Sequence, residues 1–583
     1  MTKEINSFPL LRMLSFVLIL SILSLVFLGY FHEITAINQD LGRHLLTGEL
    51  IWENKSVPTT NLYSYTYPDF PFINHHYLSE VIFYLIYQAW GFGGLLFFTT
   101  SLMVAGVGLL LIFARKYATS LAIGFVSLLY LPILFERTDL RPEILSYFFF
   151  ILFIVILFRY KERFTRWIYL LPFIELLWVN SHIYFPLGIV LLGLFLIDNI
   201  ITSRKNLKNK QTLTLFSVAL LSGVITSINP NGLAGALYPL SVFQNYGYSI
   251  EENQTLFFLE SLGFHKASFL PLKISVFLLF LSLLLSIKKA RPIDWLLSVT
   301  FTIVALLAVR NFPLFVFATL LPFTRSLSIL YKTLIQLISK KQVLASIFPF
   351  FLSIILVILL IWQGITLATK RPLGAVLPQG ASKAITFFEK NKLNGPLFNN
   401  FDIGSYLSYE LYPQEKVFID GRPEAYPASF IQDIYIPMQE DANVFAKTAE
   451  KYKFNTIIFS HTDQTPWAMT FLKTILTNPD WKTIYLDPMI IILVKNTPTN
   501  QNLIEKYAMT PEQLEMQHLI NDLPNLYQAV SFFKTVGLIE QEKRLYQEIL
   551  IIDPQNCPTL YNLAISENQQ NMLTLQRYNL YCQ

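Results

Sequence analysis

The chain has 583 residues, of which 53% are hydrophobic and only 14% charged, with 50 Phe and 30 Tyr. Soluble proteins carry about a quarter charged residues, so this composition excludes a soluble multidomain protein and makes lipid the solvent for most of the chain. The net charge of +5 does not point to nucleic acid, because Lys and Arg fall in short clusters between apolar runs, as they do in membrane proteins.

The first apolar run, Pro9 to Tyr30, is longer than a signal-peptide core and lacks a small-residue cleavage pattern, so it is expected to remain as the first span. Further runs lie near residues 94–113, 118–135, 143–158, 167–179, 183–199, 211–228, 271–287, 293–309, 312–324 and 343–364. Together they predict an α-helical polytopic bundle of about eleven spans. Basic clusters recur at every second connection: Arg115 and Lys116; Arg159, Lys161, Arg163 and Arg166; Arg204, Lys205, Lys208 and Lys210; Lys288, Lys289 and Arg291; Lys332, Lys340 and Lys341. The positive-inside rule makes these connections cytoplasmic, together with Lys3 and Arg12. Eleven crossings then place the N-terminus inside and everything after Lys370 outside.

Two outer connections are long, residues 31–77 and residues 229–270, the second opening with Asn229-Pro230-Asn231-Gly232. Long loops in a compact architecture tend to be functional. Residues 1–370 form the membrane region. In residues 371–500, short β-type runs (396–398, Lys416 to Ile419, Thr456 to Phe459, Thr483 to Leu486, Met489 to Val494) alternate with helical patterns, which predicts an extracytoplasmic α/β domain. Residues 501–583 read as purely helical, and Tyr527, Ala529 and Gly537 followed by Asp553-Pro554 predict a tetratricopeptide-like tail. So short a tail cannot bury its own face and is expected to pack on the α/β domain or on a protein partner. The two cysteines, Cys557 and Cys582, are too few for a disulfide framework or a Cys-based metal site.

Residues Asn38 to Glu49 read as a short helix with Leu41, Leu45 and Trp52 turned to the membrane surface. Its i, i+3, i+4 spacing brings Asp40, Arg43 and His44 onto one face. Comparable residues gather on the same outer side: His75, His76 and Glu80; Glu136, Arg137, Asp139, Arg141 and Glu143; Asn180 and His182; Arg310 and Asn311. Arginine beside a span is costly unless it faces a polar cavity or an anion, and its fork matches phosphate oxygens bidentately. Taken singly, each arginine is equally explained by snorkelling or by a neighbouring carboxylate, as Arg137 by Glu136 or Asp139. Glu175, inside a short span, reads as structural. A divalent metal ion is the one cofactor these residues invite, with Asp40 and His76 as candidate ligands.

These pieces resemble the GT-C class of polytopic glycosyltransferases, which use lipid-phosphate-linked sugars, and within it little-characterised bacterial members. The resemblance rests on Asp40-Leu-Gly-Arg-His44 with Gly48, Tyr63-Ser64-Tyr65 leading to His76-Tyr-Leu-Ser-Glu80, and Leu177-Trp-Val-Asn-Ser-His182. It continues in Asn229-Pro-Asn-Gly232, Arg310-Asn-Phe-Pro-Leu314, Asn399-Asn-Phe-Asp-Ile-Gly404 and Val417-Phe-Ile-Asp420-Gly-Arg422. It implies a multi-pass protein of the bacterial plasma membrane that moves a sugar from a polyprenyl-phosphate donor to a glycan, lipid or protein acceptor at the outer face. Asp40 takes the place of the class's catalytic carboxylate. Arg43, Arg137, Arg141 and Arg310 are the candidates for the phosphate, and His44, His76, Glu80 and His182 for phosphate or sugar. A transporter or flippase of lipid-linked glycans and a silent scaffold working through its helical tail are the competing readings; no internal repeat favours the transporter.

Overall fold

A run of apolar side chains in lipid must satisfy its backbone polar groups within its own segment, which makes it a helix. The computed structural model describes residues 9–35, 40–203, 209–241, 245–338, 342–370, 372–377, 379–566 and 572–582. Lys3, Asn38, Gln39, Arg204, Lys205, Lys208, Lys340 and Lys341 lie outside the described residues.

All eleven apolar runs coincide with helices. These are α1 (Pro9–Tyr30), then, beyond the first-loop helix α2 (Leu41–Asn54), α3 (Tyr77–Ala114), α4 (Ser120–Leu134), α5 (Glu143–Glu162) and α6 (Leu171–Val179). The series continues with α7 (Pro186–Thr202), α8 (Lys210–Ile225), α9 (Phe269–Leu285), α10 (Pro292–Leu307), α11 (Phe312–Ile338) and α12 (Gln342–Lys370). Among the described residues five stretches are long and apolar enough to cross a membrane, Arg12–Tyr30, Tyr77–Ala114, Glu143–Glu162, Val309–Gln336 and Pro349–Thr369. The chain is an integral membrane protein. Helix α3 starts well before the apolar run read from sequence and turns at Gly91, whose φ of 61° and ψ of −163° a side chain would resist.

After α13 (Gln379–Lys390) the chain enters a four-stranded sheet of β1 (Leu397–Asn399), β2 (Thr456–Ser460), β3 (Trp481–Leu486) and β4 (Ile490–Lys495), in the order β1-β2-β4-β3. Strands β1 and β2 are parallel, with Leu397 opposite Thr456, and the other pairs are antiparallel. Nearly every strand residue is buried, since helices α14 (Phe401–Leu411), α15 (Ala442–Tyr452) and α16 (Pro466–Ile475) cover the sheet. The expected strand at Lys416 to Ile419 does not join this sheet. Val417 pairs instead with the first outer loop, accepting from the Tyr65 N–H at 3.2 Å and donating to the Tyr63 carbonyl at 3.1 Å.

Helices α17 (Gln501–Tyr507), α18 (Leu523–Val536), α19 (Ile539–Ile552), α20 (Cys557–Ser566) and α21 (Met572–Cys582) complete the chain. Leu526, Phe533 and Ile549 share one apolar core with the α/β layer, so the helical segment does pack on that layer. Cys557 and Cys582 form a disulfide joining α20 to the end of α21, a pairing that counting cysteines did not bring out.

The largest correction concerns α2. Leu41 and Leu45 are not turned to the membrane surface: they are buried with Phe83 of α3 and with Ile403, Leu407 and Val417 of the tail. Two glycines permit this sandwich, because a Cβ at Gly42 would lie 2.8 Å from Tyr409 of α14 and one at Gly48 would lie 2.1 Å from the Glu80 carbonyl of α3. Of the three apolar side chains expected at the membrane surface, Trp52 alone is exposed. Glu175 is fully buried against Gly188, with neither carboxyl oxygen bonded.

Candidate functional site

Packing α2 between bundle and tail places its N-terminus at the floor of a cavity of about 160 Å³. The cavity is walled by the connections at the ends of α1, α4, α6, α8 and α10 and roofed by residues 421–424 of the tail. Asp40, Arg43, His44, His76, Arg137, Arg141, His182 and Arg310 all line it. Glu80 stands one layer behind and holds His44.

Asp40 is the N-cap of α2 but accepts no capping hydrogen bond, so its carboxylate is left to the cavity. Oδ1 lies 3.6 Å from Nη2 of Arg43 and Oδ2 lies 3.8 Å from Nη1 of Arg141. These are ion-pair distances without a tight hydrogen bond. Behind them His44 Nδ1 meets Glu80 Oε1 at 2.8 Å, and Asn74 donates to Oε2 at 2.7 Å. Arg43 Nη2 lies 3.4 Å from His44 Nε2. A guanidinium only donates, so Nε2 is the acceptor and Nδ1 carries the proton given to Glu80, which leaves His44 neutral. Burial, then the charge of Arg43, hold its pKa below the ordinary histidine value against the opposing pull of Glu80.

Four of the eight histidines cluster around His76. Ring centroids are 5.2 Å apart for His44 and His76, 4.2 Å for His75 and His76, and 5.0 Å for His76 and His182. Burial pushes His75 down to about 4 and His76 and His182 well below the usual value. A depressed histidine pKa means that the unfolded chain binds the proton first, so stability is full above about pH 6.5 and falls as pH drops toward 4. Thermal unfolding between pH 7 and pH 4.5 is expected to show a falling midpoint, and replacing His75 by Gln should flatten that slope.

The cations come from different elements. Arg137 grips Glu143 with two bonds of 2.9 and 2.8 Å and also pairs with Glu252. It pairs with neither Glu136 nor Asp139 as the sequence suggested, since Glu136 is taken by Lys266 and Ser268. Arg141 meets Glu252 at 3.0 Å. Arg310 donates to the Tyr184 hydroxyl at 2.9 Å and to Asn253 at 2.8 Å. In the roof, Arg422 donates to Asp420 at 2.8 and 2.6 Å and to Asn61 at 2.8 Å, with its guanidinium carbon 5.0 Å from the Tyr63 ring and 4.7 Å from the Phe72 ring. Asp420 to Arg422 thus form a turn with a local Asp–Arg pair, and the first outer loop completes it. A Cβ on Gly421 would stand 3.3 Å from Asp40 Oδ1, so the roof passes directly over that carboxylate.

Five guanidinium groups thus face four carboxylates, Asp40, Glu143, Glu252 and Glu424. Glu252, Asn253 and Glu424 went unrecognised in the sequence; the only pointer to the first two was the length of the fourth outer loop. Among the described residues no three His, Cys, Asp or Glu side chains are grouped to hold a metal ion. Within the cavity Asp40 lies beside guanidinium groups and His76 beside other imidazoles.

No protein-family model and no curated protein matches the sequence. Solved structures do match in fold. The archaeal oligosaccharyltransferase AglB from Archaeoglobus fulgidus, in complex with an inhibitory peptide and a dolichol-phosphate, aligns with a TM-score of 0.57 at 11% identity, over 79% of this chain and 70% of that one. The Archaeoglobus fulgidus oligosaccharyltransferase tethered to an acceptor peptide aligns with a TM-score of 0.54 at 11% identity, over 82% and 74%. The same organism's enzyme in complex with Zn and sulfate aligns at 0.50 and 12% identity, over 82% and 73%. The chain therefore has the fold of a GT-C glycosyltransferase.

Proposed function

We propose that this protein is a membrane glycosyltransferase that moves a sugar from a polyprenyl-phosphate-linked donor to an acceptor hydroxyl or amide at the outer face of the membrane. The observation that carries the reading is that Asp40 shares one cavity with Arg43, Arg137, Arg141 and Arg310. Transfer requires a base at the acceptor and cations at the departing phosphate, and these residues supply both. The acceptor's proton passes to Asp40 as the new glycosidic bond forms. The bond from the anomeric carbon to the phosphate breaks, and the phosphate leaves with the electron pair onto the arginines. In-line displacement of this kind inverts the anomeric centre. The dolichol-phosphate bound by the archaeal neighbour supports this class of lipid carrier.

In the same reading the eleven apolar helices all span the bilayer, residues 371–500 close the cavity from outside, and residues 501–583 offer a surface to a protein partner. A disulfide in the last helices accords with an oxidising outer compartment. The test is a transfer assay with purified protein in nanodiscs, a radiolabelled polyprenyl-phosphate hexose and envelope extract as acceptor. Label is expected to move into the acceptor with release of one free polyprenyl phosphate per sugar. Transport of the intact donor without cleavage would sink the proposal.

A further inference from the structure

The fourth outer connection brings the turn Glu251–Asn253 to the cavity, beside Tyr238, Tyr246 and Ile250. Each of its three side chains ends on a cation. Glu251 meets Lys266 at 2.9 Å, Glu252 bridges Arg137 and Arg141, and the Asn253 side-chain oxygen accepts from Arg310 at 2.8 Å. The arginines belong to two distant parts of the bundle, the α4–α5 connection and the start of α11, and what brings the three together is this turn. Backbone bonds tie it only lightly: Asn253 to Ile250 at 3.1 Å, Gln254 to Glu251 at 3.0 Å, and Val309 to Gln254 at 3.1 Å.

One carboxylate on two guanidiniums, with a neighbouring amide oxygen on a third, is the arrangement of oxygens that a phosphate group would present to the same arginines. The side chain of Glu252 keeps 24% of its surface exposed, so it can leave into water, whereas Glu143, the other partner of Arg137, keeps 3%. We infer that Glu252 and Asn253 are a built-in stand-in for phosphate: they hold Arg137, Arg141 and Arg310 in the resting protein and are displaced when a phosphate group binds. This rests on the reading of the cavity as a lipid-phosphate site and adds to it the group that must move. Polyprenyl phosphate, the monoester released by the proposed transfer, brings about −1.5 to −2 charge and three oxygens against the single charge of a carboxylate, so it wins the exchange. When the phosphate departs, Glu252 returns and spares the arginines an unpaired state. The same contact makes the turn Glu251–Asn253 the moving part.

The experiment measures binding of undecaprenyl phosphate, and separately of inorganic phosphate, to protein in nanodiscs for the wild type, Glu252→Gln, Glu252→Asp and Arg141→Gln. Both Glu252 variants are expected to bind the lipid phosphate about tenfold more tightly, the shorter aspartate because it cannot reach both arginines, and Arg141→Gln more weakly. Tightening for inorganic phosphate as well locates the recognition in the phosphate alone; tightening for the lipid only adds a contribution from the isoprenoid chain. Should one glutamine variant fail to fold, the aspartate variant keeps the charge and decides the matter. Equal or weaker binding in the Glu252 variants, with binding intact in the wild type, overturns the stand-in but leaves the lipid-phosphate reading standing. Failure of every form to bind undecaprenyl phosphate overturns both.

Discussion

Asp40→Asn is expected to slow sugar transfer by about 10² to 10⁴-fold, the range over which a positioned general base acts. The substitution keeps the shape of the side chain and the backbone N-cap position, so α2 remains seated between α3 and α14. No capping hydrogen bond is lost, because Asp40 makes none. The ion pairs it gives up, at 3.6 and 3.8 Å, leave Arg43 near Glu80 and Arg141 bound to Glu252. Neither guanidinium is stranded, so the unfolding midpoint should move little. Binding of undecaprenyl phosphate should hold or tighten, since one negative charge is removed beside the arginines. A variant that transfers sugar at the wild-type rate would deny Asp40 its role as base, and one that fails in both transfer and folding would make it a structural residue.

The second large effect is on stability. Asp420→Ala should destabilise the protein by about 3–5 kcal/mol, the cost of leaving a buried charge without its partner. Arg422 is almost wholly buried, enclosed by the rings of Tyr63 and Phe72, and among the described residues Asn61 is the only other group its side chain bonds. Removing both charges in Asp420→Ala/Arg422→Met should recover most of the loss, because an apolar pair of similar volume costs little in such a place. The double variant should nonetheless transfer poorly, since the roof at 421–424 is held over Asp40 by the Arg422 bonds to Asp420 and Asn61. Denaturant unfolding in detergent measures the first effect and the transfer assay the second. A loss below about 1 kcal/mol for the single variant would show the pair to be solvated.

The two predictions differ in how far each could be seen beforehand. Asp40, Arg43 and His44 share a helix face by spacing alone, and that local periodicity survived folding intact. Arg422 was legible only through its short motif after a β-type run, because its partners Asn61, Tyr63 and Phe72 lie some 350 positions earlier in the chain. Nothing in a one-dimensional pattern marks a contact of that range.

Composition and periodicity were enough to determine the eleven apolar helices, the alternation of basic and polar connections, four of the five expected strands and the convergence of arginines on one end of the bundle. Each of these follows from local rules: backbone groups in lipid must pair within their own segment, and side chains repeat with the period of the element that carries them. Tertiary structure alone decided which carboxylate meets which guanidinium, that Leu41 and Leu45 face the tail rather than the bilayer, that Val417 pairs with Tyr63 and Tyr65 instead of a strand, and that Glu252 and Glu424 enter the cavity. The reason is physical. An ion pair or an apolar contact is chosen by proximity in space, and several candidate partners of equal chemistry stand along the chain, so only the packing of the layers, opened at Gly42 and Gly48, selects among them.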